Sequence, residues 1–292
     1  MTQHQIEIIK ASGERVPFEP AKLQKSLERA GAGPDQVERI FDELEPRLHD
    51  GISTHKIYRM AFDKLKKISR GLAARYKLKN ALLELGPSGY PFEKFVGEIL
   101  RHQGYEVRTN QFLEGKCIEH EVDILAENET NVHLIECKYH NRQNYKSDVK
   151  IPLYIHSRFK DILAHWGQQP EEGKPFQQGW VVTNTRFSED ALNYGNCVGL
   201  RMVSWDQPEQ GSLKRMIELA RLYPITCLNS LSDSHRTSLL KDNIVLCREI
   251  YQNPETLQDR AIKRSERKQV MQEVEELCGD ESFTADSINR SK

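Results

Sequence analysis

Two carboxylates and a lysine in the middle of the chain have the types and spacing for phosphodiester chemistry. Asp123 lies in the run Glu121-Val122-Asp123-Ile124-Leu125-Ala126, and thirteen positions later Glu136 opens the tripeptide Glu136-Cys137-Lys138. Both runs read as β-strands, with Asn128-Glu129-Thr130-Asn131 as the turn between them. Strand side chains alternate faces, so Glu136 and Lys138 point the same way, about 6–7 Å apart along the strand. With Asp123 across from Glu136, two carboxylates and one ammonium share a small patch. Carboxylate oxygens suit Mg²⁺, which binds through one or two carboxylates, keeps several waters and takes phosphate oxygens. Such an ion stabilises developing charge and activates water, and the lysine sets a fixed positive charge at the attacked phosphate. The competing reading is a set of ordinary strand-face charges. Against it, Val132-His133-Leu134-Ile135 is nearly all apolar, so the strand reads as buried, where unpaired charge is costly.

Around this triplet the chain supplies a scaffold. Phe92, Phe95, Val96, Ile99 and Leu100 recur at helical spacing, and Gly104 is placed to end that helix. A strand follows at Glu106-Val107-Arg108-Thr109. A further helix is predicted from Tyr154 to Trp166, then strands at Gly179–Thr185 and Leu200–Trp205. Helix, three strands, helix and two more strands imply an α/β layered fold. From Lys138 to Lys160 the basic residues Lys138, Arg142, Lys146, Lys150, Arg158 and Lys160 outnumber the acids. Arg142, Lys146 and Lys150 are the candidates for contact with a DNA backbone. A solvated charged loop and helix face is the plainer alternative.

In residue order and motif this block, about residues 90 to 205, resembles the Mrr-like type IV restriction endonucleases of the PD-(D/E)xK nuclease superfamily. The resemblance implies Asp123 and Glu136 as metal ligands, Lys138 as the catalytic lysine, and Glu93 of the opening helix as a support of the metal site. Val122 stands where the motif's name has proline. The glutamine usual in Mrr-like sites has only Gln143 as a counterpart.

The first ninety residues read as a separate unit. Ile6–Lys10 and Arg15–Phe18 flank Gly13 as a hairpin, and Pro20 opens a helix carrying Leu23 and Leu27. Gly31-Ala32-Gly33-Pro34 breaks it. A second helix carries Val37, Ile40 and Leu44; Ser53-Thr54 caps a third with Ile57, Ala61 and Leu65; a fourth runs from about Gly71 to Leu85. Gly86-Pro87-Ser88-Gly89 reads as a linker. The hairpin and four helices, with Ile8, Lys10, Gly13, Phe18, Lys22 and Gly51-Ile52-Ser53-Thr54, resemble the ATP-cone, the regulatory nucleotide-binding domain at the front of ribonucleotide reductases. The resemblance implies that Ile8 lines the adenine or ribose side, Lys10 and Lys22 meet phosphates, and Thr54 helps form the pocket. Ala11-Ser12 replaces the cone's usual Arg-Asp.

The 292 residues carry a net charge of −1, with 38% hydrophobic and 29% charged residues, a globular composition without a global basic field for nucleic acid. No apolar run reaches the ~20 residues of a membrane helix, and Met1–Gln5 lacks a signal-peptide core, so a cytoplasmic protein is expected. The six cysteines never form a C-x-x-C pair, which argues against a zinc ribbon or a disulfide framework. After residue 207 short helices are expected, without the glycine-rich hairpin of a helix-hairpin-helix. A solvent-exposed helix is expected near Val270 to Leu277, with a disordered end.

The expected fold is therefore multidomain, combining α+β and α/β parts. An ATP-cone (1–88) precedes a nuclease core (89–206), a helical module (207–256) and a charged tail (257–292). The expected function is a Mg²⁺-dependent DNA endonuclease regulated by ATP or dATP, with DNA and an adenine nucleotide as partners. Self-association into a homo-oligomer is compatible with this. The alternatives are a non-cleaving DNA-binding protein and a nucleotide-sensing regulator on a lapsed nuclease fold.

Overall fold

The structure, a computed structural model, describes residues 6–166, 175–258 and 262–279. Its compact units divide within a helix. One comprises residues 6–78 with 227–231 and 262–279; the other comprises 79–226 with 232–258.

In the first unit β1 (Glu7–Ile9) and β2 (Arg15–Pro17) form the expected antiparallel hairpin, and Gly13 turns it at φ +85. Gly has no Cβ to clash at positive φ. A third strand, β3 (Ile52–Ser53), pairs parallel with β1. Two residues carry no readable period, so this pairing was invisible in the sequence. Helix α1 (Pro20–Arg29) starts on proline, whose fixed φ suits the first turn. Helices α2 (Pro34–Leu44) and α3 (Thr54–Ile68) follow, and the Ser53 hydroxyl accepts the Lys56 amide at 3.1 Å to cap α3. Leu27, Ile40, Leu44, Ile52, Ala61 and Leu65 form the core. Helix α4 (Arg70–Leu83) completes the hairpin-plus-four-helix set.

The unit boundary at 78/79 differs from the expected linker at 86–89. The second half of α4 belongs to the second unit for a physical reason. Its last carbonyls, at the helix end where intrahelical partners run out, accept side-chain hydrogen bonds there. Ala81 O takes the Thr226 hydroxyl (2.7 Å), Leu82 O the Asn184 amide (3.2 Å) and Leu83 O the Tyr139 hydroxyl (2.7 Å). Leu82 and Leu85 are fully buried.

The second unit continues with α5 (Tyr90–His102), ended by Gly104 at φ +89. Strands β4 (Glu106–Glu114), β5 (Glu119–Glu127) and β6 (Val132–Lys138) form an antiparallel meander. After β7 (Lys146–Ser147) and α6 (Lys150–Trp166), β8 (Phe176–Thr183) returns parallel to β6. Next come β9 (Arg186–Phe187), α7 (Glu189–Cys197) and β10 (Arg201–Val203), which is parallel to β8. The five-stranded order is β10-β8-β6-β5-β4, with β7 and β9 as a separate parallel pair. Central β6 is buried on both faces from Val132 to Cys137, as a strand covered on both sides must be. Helices α8 (Leu213–Ala220), α9 (Asp233–Lys241) and α10 (Cys247–Gln252) are the short helices expected after residue 207.

One expectation is corrected. Helix α11 (Arg264–Cys278) is not solvent-exposed: Val270, Val274 and Leu277, at i, i+4 and i+7, are fully buried in the first unit. Its Glu273, also fully buried, accepts Asn229 N (2.8 Å), Asn229 Nδ2 (2.9 Å) and Ser230 N (2.9 Å). Glu276 accepts the Ser69 hydroxyl and the Gly71 amide, each at 2.6 Å, at the start of α4. The buried Glu273 and the half-buried Glu276, each satisfied by hydrogen-bond donors, gave the stretch its misleading polar look. The expected disordered end, residues 280–292, lies outside the described residues. No helix among the described residues is long and apolar enough to cross a membrane.

Candidate active site and nucleotide pocket

The antiparallel register of β5 on β6 pairs Ile124 with Ile135, and its next step sets Asp123 across from Glu136. Asp123 Oδ2 accepts the Cys137 amide at 2.7 Å, which aims the carboxyl at the end of β6. Glu136 is almost fully buried. Its Oε1 accepts Lys138 Nζ at 2.5 Å, and its Oε2 accepts Arg158 Nη1 at 2.9 Å. The strand alternation that put Glu136 and Lys138 on one face is thus realised as an ion pair.

Burial, and then the nearby Glu136 carboxylate, raise the Asp123 carboxyl to about 6. Glu93, on the first turn of α5, is raised to about 7, again by burial first and then by Asp123, Glu136 and Glu121. So Glu93 feels the negative charge of Asp123 and Glu136, and Asp123 that of Glu136, where burial weakens solvent screening. Among the described residues no three His, Cys, Asp or Glu side chains stand as a ready-made ligand cage. The donor set still fits a hard divalent cation: oxygen ligands only, two facing carboxylates, and an excess of crowded negative charge that a cation would relieve. A Mg²⁺ ion needs only one or two protein carboxylates.

Arg158 belongs to this cluster although the sequence offered it as one basic residue among several. It sits between Ile155 and Phe159, buried residues of the α6 stripe that faces the sheet, and its guanidinium lies 5.4 Å from the Tyr154 ring centre. Position on the buried stripe was the available signal. Gln143 is an exposed residue whose amide donates to Asn80 at 2.7 Å, so it is engaged away from the carboxylates. Arg142, Lys146 and Lys150 are exposed, whereas the cations paired with Glu136 are Lys138 and Arg158.

The α6 helix is itself braced against the β4–β5 connection. Asp161 accepts the Cys117 and Ile118 amides (3.1 and 3.3 Å) and pairs with His120 Nε2 at 2.9 Å. The His120 bond first, then Cys117, hold the Asp161 carboxyl down at about 2.

In the first unit a cavity of about 260 Å³ gathers the four residues expected at the nucleotide: Ile8, Lys10, Lys22 and Thr54. Lys10 pairs with Glu14 at 2.9 Å and Lys22 with Glu19 at 2.6 Å, both in exposed ion pairs. Tyr58 and Tyr76 stack at 4.9 Å along the cavity. Burial, chiefly, pushes the Tyr76 hydroxyl well above its ordinary range.

Three family descriptions match the chain. The ATP cone domain matches residues 6–79, the restriction endonuclease family of Mrr catalytic type matches 86–209, and the AF1548-like C-terminal family matches 223–278. An uncharacterized protein of Archaeoglobus fulgidus is 31% identical over 185 residues, spanning 63% of this chain and 100% of that protein. The crystal structure of AF1548, a protein of unknown function, aligns with TM-score 0.54 at 30% identity, over 66% of this chain and 99% of that one.

Proposed function

Since the chain belongs to the AF1548-like family and carries an ATP-cone and an Mrr-type restriction endonuclease domain, we propose that it is a Mg²⁺-dependent DNA endonuclease whose activity an adenine nucleotide regulates. The convergence of Asp123, Glu136 and Lys138 carries this reading. Asp123 and Glu136 are the metal ligands, and Glu93 adds negative charge to the same field. A bound Mg²⁺ would supply Lewis acidity and an activated water.

The chain's own side chains do the rest. The Cys137 amide fixes the Asp123 carboxylate. Arg158 holds Glu136 from α6 and so sets the direction of its free lone pairs. Lys138 places its ammonium beside Glu136, where it meets the non-bridging oxygens of the attacked phosphate and stabilises the charge that grows in the transition state. The exposed Arg142, Lys146 and Lys150 hold the DNA backbone. In the cone Ile8 packs on the adenosine, Lys10 and Lys22 exchange their glutamate partners for nucleotide phosphates, and Thr54 closes the pocket wall.

Plasmid cleavage with Mg²⁺, with and without ATP or dATP, on methylated and unmethylated DNA tests the reading. The expected result is nicking that EDTA abolishes and that a nucleotide changes in rate. DNA binding without cleavage under every condition would leave a non-cleaving DNA-binding protein in its place.

A further inference from the structure

Beside the carboxylates, at the carboxyl ends of β6 and β8, lies a second pocket with the opposite charge. It is lined by Lys79 of α4, Lys146 of β7 and Arg186 of β9, over Tyr145, Trp205 and Asn184. Its link to the candidate active site is short. Thr183 pairs with Lys138 in the sheet and donates its hydroxyl to Lys138 O at 2.7 Å, and Asn184 follows it directly. Asn184 in turn bridges His140, accepting its amide at 2.9 Å and donating to its carbonyl at 2.7 Å. Ligands of open α/β sheets lie outside the carboxyl ends of the strands, which is where this pocket opens.

Charge and size narrow the occupant. The carboxylate that acts on Lys79 is Asp206, and Arg186 already engages it through both Nε and Nη2. Burial, then Arg186 and Lys214, lower the Lys79 ammonium from its ordinary value, so an anion placed here relieves an existing repulsion. The apolar walls of Trp205 and Leu83 limit screening. The pocket volume is about 70 Å³. At about 10–15 Å³ for each water-sized group, that admits roughly five groups. A phosphoryl centre with its four oxygens fits that count.

We propose that Lys79, Lys146 and Arg186 form a phosphate seat that takes a backbone phosphate flanking the one attacked at Asp123, Glu136 and Lys138. The seat rests on the nuclease reading for its ligand's source, and it adds a residue of the cone's last helix, Lys79, to the DNA contacts.

The test is duplex binding by the full chain in EDTA, titrated over a range of salt, for wild type, Lys79→Ala and Lys79→Arg. Inorganic phosphate is added as a competitor in a second arm. Losing one phosphate contact should weaken binding roughly tenfold and lower the log–log salt slope by about one, whatever the DNA sequence, and Lys79→Arg should restore both. An unchanged slope in Lys79→Ala, with wild-type DNA binding intact, overturns the seat and leaves the nuclease reading standing. Phosphate binding that Lys79→Ala removes, in a protein that ignores DNA, upholds the seat and assigns it to free phosphate. No binding of either overturns the seat; cleavage with Mg²⁺, measured separately, decides the enzyme.

Discussion

The candidate nucleotide pocket and the candidate active site hold their charges in opposite ways. In the cone, Lys10–Glu14 and Lys22–Glu19 are local pairs, four and three residues apart, and both are exposed. Pairs of that kind stabilise a fold by about 0–1 kcal/mol, so swapping a glutamate for a nucleotide phosphate costs little. In the nuclease unit Glu136 is buried under two cations from different elements, and breaking a buried pair by removing one partner costs about 3–5 kcal/mol. One region is arranged for easy exchange of partners, the other for fixed direction. A regulatory ligand that comes and goes suits the first; ligands that must meet a reacting phosphate in one geometry suit the second.

Substitutions should separate the two regions by size of effect. Asp123→Ala is expected to abolish Mg²⁺-dependent plasmid nicking while leaving the circular dichroism spectrum unchanged, since it removes a ligand and also relieves the crowding that raises its neighbours. The loss should exceed the roughly 10–100-fold typical of residues that only orient a metal ligand. Nicking at the wild-type rate would end the metal-site assignment.

Lys138→Met should lower kcat by about 10²–10³, with duplex affinity within several-fold of wild type, because it deletes one phosphate contact among many. If instead KM rises while kcat is unchanged, Lys138 is a binding residue and not a transition-state one.

In the cone the effect is smaller. Lys10→Ala or Lys22→Ala should each weaken ATP binding about tenfold, the loss of one charge-assisted contact. Calorimetry should use the full chain. A fragment ending at residue 88 would omit α11, whose Glu276 accepts the Ser69 hydroxyl and the Gly71 amide of α4. An unchanged ATP isotherm in both variants would remove the phosphates from these lysines.

The smallest effect contrasts two kinds of carboxyl within the nuclease unit. Asp123 is pushed up to about 6, whereas Asp161 is held at about 2 by His120 and the 117–118 loop. A depressed carboxyl stabilises the fold above its unfolded value of about 3.9, and that stability is lost as pH falls towards 2. Asp161→Asn should therefore lower the melting temperature at pH 6, and the gap to wild type should shrink on acidification. A gap that stays constant with pH would mean the aspartate braces α6 by packing alone.

Local features were open to inspection in the sequence. Pro20, the Ser53 cap and Gly104 mark helix ends through their own backbone chemistry. Glu136 and Lys138 share a face because a strand repeats every two residues. Ile8, Lys10, Lys22 and Thr54 followed from the resemblance to the ATP-cone and not from any local period, and they line one cavity. What depends on distant partners was not open in this way. Arg158 reaches Glu136 only because α6 packs its Ile155–Phe159 stripe on the sheet. The β1–β3 pairing joins segments more than forty residues apart through two residue pairs. Helix α11 looked soluble because Glu273 and Glu276 give no sign, in one dimension, of the amides that satisfy them. Residue type and spacing determine local geometry and the kind of chemistry on offer. Burial, and with it the raised carboxyls and the choice of each cation's partner, is a property of what packs over a residue, and only the tertiary structure decides that.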